Sequence, residues 1–337
     1  MNPSRSKPRF VAIDILNEIL GNQKSFRELR ALGMLKNLQP NEKAFVQRLV
    51  MDTLRNLERS DKLLKKYLKK DPKLRVKNTL RLSLTELATG GASHAIVNEA
   101  VNYAASNKKS RPMKGLVNAV LRQVSSSEIE DWNNGANISR LPKWLRGPLI
   151  SAYGKNTVIE IEKIQSFTPP VDITLKDPHK IKGWAKELDG RIVFQESIRL
   201  KSGKQVSALP GFKEGDWWVQ DAAASIPIRL LGNLSGKRVL DLCAAPGAKT
   251  LQLASLGADV TSVDISSSRL QLLRENLERC GLSANIIESD AFNITDKFDI
   301  VLLDAPCSAT GTIRRHPDLV YCKDGSDFFE LMEIQAR

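Results

Sequence analysis

The run Arg238-Val239-Leu240-Asp241-Leu242-Cys243-Ala244-Ala245-Pro246-Gly247-Ala248-Lys249-Thr250 reads as an apolar strand, a turn of small residues and the start of a helix. Such a turn lets a ligand approach the backbone and the positive end of the helix. It has neither the GxxxxGK(S/T) nor the GxGxxG spacing, so a nucleotide phosphate or a dinucleotide is not the first expectation. Three further apolar runs lead to acids: Val263-Asp264, Ser289-Asp290 after Asn285–Glu288, and Leu303-Asp304, which continues Ala305-Pro306-Cys307-Ser308. A carboxylate ending the second strand is where a ribose hydroxyl pair is held, and an acid after the third can accept from an adenine amino group. Each acid can equally cap a helix. Gly247, Asp264, Asp290 and Asp304 all at strand ends nevertheless favour one nucleoside-binding crevice.

The elements that must position these residues follow from periodicity. Arg238–Cys243, Asp259–Asp264, Asn285–Glu288 and Asp299–Asp304 read as strands, with helices near Lys249–Ser255, Ser266–Cys280 and Asp327–Arg337. That is the start of a doubly wound α/β sheet. Residues 5–125 carry apolar residues at helical spacing almost throughout, as in Phe10, Ile13, Leu16, Ile19 and Leu20. Within them, Lys62 to Arg81 holds nine basic residues and one acid, interleaved with Leu63, Leu64, Tyr67 and Leu68. This predicts an amphipathic helix with a cationic face, which taken alone reads as a solvated surface. Ser110, Pro112 and Gly115 interrupt the pattern before a last helix, and the polar stretch Ser125 to Arg140 marks a boundary. Residues 141–215 combine a helix around Lys143–Tyr153 with short β-like runs at Val171–Leu175 and Arg191–Phe194, a small α+β insert of unassigned topology.

A length of 337 residues implies two or three domains. The net charge of +13 is unevenly placed: residues 1–150 hold 28 basic and 13 acidic residues, residues 151–337 hold 23 and 25. A basic helical module beside a roughly neutral one is the footprint of a polyanion-binding domain joined to a second activity. The four cysteines, Cys243, Cys280, Cys307 and Cys322, form no close pair, and there are three histidines, so no metal site is expected. No apolar run reaches about 18 residues and no secretory signal opens the chain, so the expected location is cytoplasmic, with no membrane contact.

With those motifs in place the chain resembles the Fmu/Sun-type RNA (cytosine-C5) methyltransferases of the NOL/NOP/Sun family, in particular the bacterial branch acting on 16S ribosomal RNA. The resemblance is carried by Asp241-Leu242-Cys243-Ala244-Ala245-Pro246-Gly247 with Lys249-Thr250, and by Asp304-Ala305-Pro306-Cys307-Ser308-Ala309-Thr310-Gly311 with Arg314-Arg315-His316-Pro317. Ile96–Val101 and Lys114–Arg122 resemble the NusB-like helical RNA-binding domain of that family, and Gln220-Asp221 with Ser225 its segment before the catalytic core. The implied architecture is a Rossmann-like class I methyltransferase core with an incomplete sheet (216–337), preceded by an all-α NusB-like domain (1–130) and a small α+β, RNA-recognition-like segment (141–215). The implied cofactor is S-adenosyl-L-methionine, and the implied partner is 16S rRNA, without oligomerisation.

The same resemblance implies that Cys243, Ala244, Ala245, Pro246, Gly247, Ala248 and Lys249 line the cofactor site, with Asp264 at the ribose, Asp290 near the adenine and Asp304 between methionine and target base. Ala248 stands where the family usually has a second glycine, and its backbone is expected to tolerate alanine. Carbon 5 of cytosine is a poor nucleophile, so a thiolate first adds to carbon 6. In the family a cysteine in a Thr-Cys-Ser motif attacks, while the Pro-Cys cysteine, here Cys307, assists release. No Thr-Cys-Ser occurs in this sequence. Cys280 before Gly281, Cys322 in an expected loop and Cys243 in the cofactor turn are poor substitutes. The chain stops inside a helical pattern with four strands, which suggests a C-terminally truncated product. An alternative reading is a non-catalytic RNA-binding or ribosome-assembly protein that works through its helical domain. An adenine amino-methyltransferase fits less well, because Cys307 follows Pro306 where such enzymes carry an aromatic.

Overall fold

A computed structural model describes residues 7–127, 138–201 and 205–337. The polar triplet Asn133-Asn134-Gly135 expected in a loop lies outside the described residues. The chain divides into two compact units, residues 1–169 with 308–330, and residues 170–307 with 331–337.

The first unit is helical: α1 (Pro8–Asn22), α2 (Phe26–Ala31), α3 (Pro40–Arg55), α4 (Leu57–Leu64), α5 (Leu74–Ala88), α6 (Ser93–Ala105), α7 (Lys114–Ser127), α8 (Lys143–Tyr153) and α9 (Lys155–Gln165). Phe10, Ile13, Leu16 and Ile19 of α1 pack with Val46, Leu49 and Val50 of α3, and Leu80, Leu84 and Leu87 of α5 pack with residues of α6 and α7. Helix α5 is buried on nearly every side, including Asn78, Arg81 and Glu86. Burial of these polar groups requires partners. Arg9 forks onto Glu86 at 2.6 and 2.7 Å, Arg81 forks onto Asp61 at 2.6 and 2.7 Å, and Asn78 donates to Asn17.

Two expectations are corrected here. Lys62 to Arg81 is not one helix: α4 ends at Leu64 and α5 begins at Leu74, with Asp71-Pro72 between them. Pro72 has no N–H to donate and disfavours helix at the residue before it. The cations after the break are also largely paired, Arg75 with Asp14, Lys77 with Asp71 and Arg81 with Asp61. Ser125 to Ser127, expected in a polar linker, instead finish α7.

Residues 308–330 also belong to this unit. Arg55 donates to the Arg314 carbonyl at 2.9 Å, Tyr321 to the Leu54 carbonyl at 3.2 Å, and the buried Asp318 accepts from the Phe26 N–H at 2.9 Å at the start of α2. Cys322, expected in a loop, ends the short helix α14 (Leu319–Cys322) and packs against the first core.

In the second unit β1 (Val171–Leu175), β2 (Arg191–Phe194), β3 (Ser197–Leu200) and β4 (Trp217–Val219) form an antiparallel sheet in the order β2-β3-β1-β4, with α10 (Ile181–Glu187) between β1 and β2. After α11 (Ala222–Arg229), a parallel sheet is built from β5 (Arg238–Leu242), β6 (Asp259–Asp264), β7 (Asn285–Glu288) and β8 (Ile300–Leu303), alternating with α12 (Ala248–Ser255) and α13 (Ser267–Cys280). Val239 and Val260 face α11 and α12 in one core. Leu270, Leu273 and Leu277 of α13 pack with Trp218 and Leu251 in another. Helix α15 (Phe328–Ala336) follows, its last residues lying in this unit.

Candidate active site

The parallel sheet runs β7-β6-β5-β8, so the chain passes outward through three strands and then returns to the far side of β5. In open parallel sheets ligands bind beyond the carboxyl ends of the strands, next to such a reversal. The turns after β5 and β8 flank that point, and both carry the residues that the sequence singles out.

The turn after β5 is held rigidly. Ala244 N–H donates to the Val263 carbonyl at 3.0 Å, and Ala245 N–H to Asp264 Oδ2 at 3.1 Å. Cys243 sits at φ 60°, a left-handed conformation costing a non-glycine residue about 1–2 kcal/mol. Gly247 follows Pro246 at φ 103° and caps α12. A Cβ on Gly247 would overlap Leu273 Cδ1, so glycine is needed there for the packing of α13 as well as for the backbone. Ala248 begins α12 and is not among the described residues with positive φ, so it tolerates alanine as expected.

Asp264, at the end of β6, is buried and engaged by three donors: the N–H of Ala245, the N–H of Ser266 at 2.9 Å, and the guanidinium of Arg269. A carboxylate offers about four acceptor positions, so one remains, and a second opens if Arg269 turns away. Asp290 is exposed and accepts from the Phe292 N–H at 3.1 Å, capping a short 3-10 turn. Beside it the ring of Phe292 is half exposed, with the Arg337 guanidinium 4.6 Å from its centre. At the end of β8, Asp304 pairs with Lys249 Nζ at 2.8 Å across the switch point while keeping 59% of its side chain exposed. Cys307 is exposed, and Gln335 of α15 donates to the Pro306 carbonyl next to it at 2.6 Å.

The other thiols sit in less reactive surroundings. Burial and the neighbouring Asp264 raise the Cys243 pKa, burial raises Cys280, and burial together with Asp318 pushes Cys322 up to about 12. A nucleophilic thiol needs its thiolate form, so none of the three is prepared for attack.

Two features escaped the sequence. Asp241 is fully buried: Thr250 Oγ1 donates to its Oδ2 at 2.7 Å and lies 3.1 Å from Ser262 Oγ, while its Oδ1 has no partner among the described residues. Desolvation pushes its pKa up to about 6. The second is a buried chain behind α12. Gln220 donates to Gln252, Gln252 donates to Glu196 at 2.9 Å and to the Ser225 carbonyl, and Arg229 donates to the same Glu196 oxygen at 2.6 Å. Gln220 and Ser225 stood out by motif, but Glu196, far away in the sequence, had no local signal.

Two segments of the chain match known protein families. The model of the 16S rRNA methyltransferase RsmB/F family matches residues 229–337, and that of the NusB family residues 6–126. Residues 229–337 are thus similar to the RsmB/F methyltransferases. The chain is 36% identical over 261 residues to proteins named ribosomal RNA small subunit methyltransferase B from Salmonella arizonae and Klebsiella pneumoniae, an alignment covering 72% of this chain. It spans about 60% of the length of those curated relatives. The solved structure of PH0851 superposes with a TM-score of 0.69 over 98% of this chain and 81% of its own, at 18% identity, a likeness of fold. Both RsmB/F motifs, 238–250 and 304–317, fall inside the matched segment. The donor set at the switch point fits a nucleoside-bearing methyl donor: carboxylates at the ends of β6 and β7, a small-residue turn after β5, and a polar pair at β8.

Proposed function

We propose that this chain takes part in S-adenosyl-L-methionine-dependent methylation of carbon 5 of a cytosine in 16S rRNA. The observation that carries the reading is the arrangement of the four strand ends at the switch point, with the Lys249–Asp304 pair and the exposed Pro306-Cys307 turn on one side. The bound cofactor supplies an electrophilic methyl group. Cys243 to Lys249 form its floor, Asp264 holds the ribose hydroxyls once Arg269 yields a lone pair, and Asp290 accepts from the adenine. Asp304 lies between the methionine end and the target base.

The base is activated by a thiolate adding to carbon 6, which makes carbon 5 nucleophilic. Carbon 5 then takes the methyl group and loses its proton, and the thiolate leaves. Cys307 assists that release. The attacking thiol of the Thr-Cys-Ser motif is not among the four cysteines of this chain. Residues 1–130 serve as the RNA-binding domain, 141–215 as an accessory RNA-contacting segment and 216–337 as the cofactor-binding part, and the cytoplasm is the site of action. No helix among the described residues is long and apolar enough to cross a membrane.

Isothermal titration with S-adenosyl-L-methionine tests the cofactor site. The 337-residue chain is expected to bind it, and Asp264→Ala to weaken binding by about 10–100-fold, since a bidentate acceptor is worth about 1.5–3 kcal/mol. Equal affinity of the two proteins would remove Asp264 from the site. The alternative of a non-catalytic RNA binder is favoured by the basic helical unit, and it predicts salt-dependent RNA binding with no cofactor binding at all.

A further inference from the structure

Beyond the cofactor crevice, the first unit presents an exposed aromatic whose backbone is pinned on both sides. Phe167 follows the end of α9. Its N–H donates to the Ile164 carbonyl at 3.2 Å, and its own carbonyl accepts from Arg314 Nε at 3.2 Å. A second Arg314 nitrogen donates to the Thr168 carbonyl at 3.2 Å. Phe167 is nevertheless 57% exposed, and Ile164, one turn earlier, is 52% exposed. No acidic side chain pairs with Arg314 among the described residues, so its charge is uncompensated. Arg314 follows Cys307 by seven residues, within the segment that Asp318 and Tyr321 anchor onto the helical unit.

We propose that Phe167, Ile164 and Arg314 form a stacking platform for an unpaired RNA base, with the Arg314 guanidinium facing its phosphate. The proposal deepens the reading of the chain as an RNA-modifying protein and rests on it. Aromatic rings beside uncompensated arginine are how single-stranded nucleic acid is held without sequence readout. Two side chains are too small a patch for a protein interface, which needs about 1,000 Å² or more, but match one base. The excess of 15 positive charges in residues 1–150 of the same unit supplies the long-range attraction. Holding the backbone on both sides of the residue lowers the cost of ordering this segment on binding.

The test is fluorescence titration of the 337-residue chain with a 12-nucleotide single-stranded RNA from the 16S sequence, at several salt concentrations. Phe167→Ala is expected to weaken binding about 5–100-fold, the range of one lost base stack, with the salt slope and melting temperature unchanged. Phe167→Trp is expected to restore affinity and to show quenching as RNA is added, whereas Phe167→Leu keeps bulk and does not restore it. Unchanged affinity of Phe167→Ala overturns the platform while leaving the RNA reading intact. So does full rescue by leucine, or a loss of affinity that tracks a lowered melting temperature. If the unsubstituted chain binds no RNA, the function proposed above fails and the platform falls with it.

Discussion

Asp241 shows how much a single buried acid can matter. Its carboxyl is fully enclosed, one oxygen accepts from Thr250, and the other has no partner among the described residues. Its pKa of about 6 lies above the ordinary value of 3.8 because burial disfavours the charged form. An acid whose pKa is higher in the folded state binds its proton more tightly there. Folding is therefore strengthened once the native state holds the proton, and that gain is lost as pH rises from about 4 through 6. At pH 8 the ionised group costs about 3 kcal/mol, the free-energy equivalent of moving its pKa from 3.8 to about 6. Asp241→Asn removes that cost, and is expected to raise the melting temperature at pH 8 by several degrees while changing it little at pH 4.5. Differential scanning fluorimetry at the two pH values checks this. Asp264 is the contrasting case: equally buried, it is supplied with three donors and turned toward the turn after β5.

At the level of elements, the coupling of the β5 turn to α13 is the feature most exposed to test. Gly247 lets the turn adopt φ 103° and lets Leu273, which is fully buried, approach where a Cβ would sit. Gly247→Ala adds a left-handed penalty of about 1–2 kcal/mol and an overpacking cost of about 1–3 kcal/mol. Thermal unfolding is expected to shift down by several degrees or more, and a shift under one degree would mean that α13 moves freely. Helix α5 makes a different point. It is buried all round, and its polar residues survive there because Asp61, Asn17 and Arg9 reach them from other helices. Strand and helix bounds in the second unit follow the sequence closely, with Val171–Leu175, Arg191–Phe194, Asp259–Asp264 and Asn285–Glu288 as expected. There the apolar alternation is local and unbroken.

At the scale of the whole chain, charge and connectivity separate. The positive excess lies in residues 1–150, yet Arg75, Lys77 and Arg81 are consumed by ion pairs inside the helical unit. The stretch connecting α4 and α5 carries Lys65, Lys66, Lys69 and Lys70 of the same cluster. Reversing Lys65, Lys66, Lys69 and Lys70 to Glu is expected to weaken RNA binding and flatten its dependence on salt. Filter binding from 50 to 300 mM salt measures the slope, and an unchanged slope would return these lysines to plain solvated surface. Residues 308–330, which follow the Pro-Cys motif, fold with the helical unit through Arg55, Tyr321 and Asp318.

The sequence by itself determined the strand-turn-helix of 238–250, the acids at successive strand ends, the tolerance for Ala248 and the helical, basic character of the first residues. Each of these is written in neighbouring residues, where backbone sterics and side-chain periodicity act. Tertiary structure alone decided that Gly247 makes room for Leu273, that Arg269 occupies Asp264, that the lysine-rich stretch breaks into two helices with paired cations, and that Asp318 meets Phe26. The partner of a buried charge or the occupant of a missing Cβ lies far along the chain, 292 residues away for Asp318 and Phe26. Only the packing that brings such residues together can choose it.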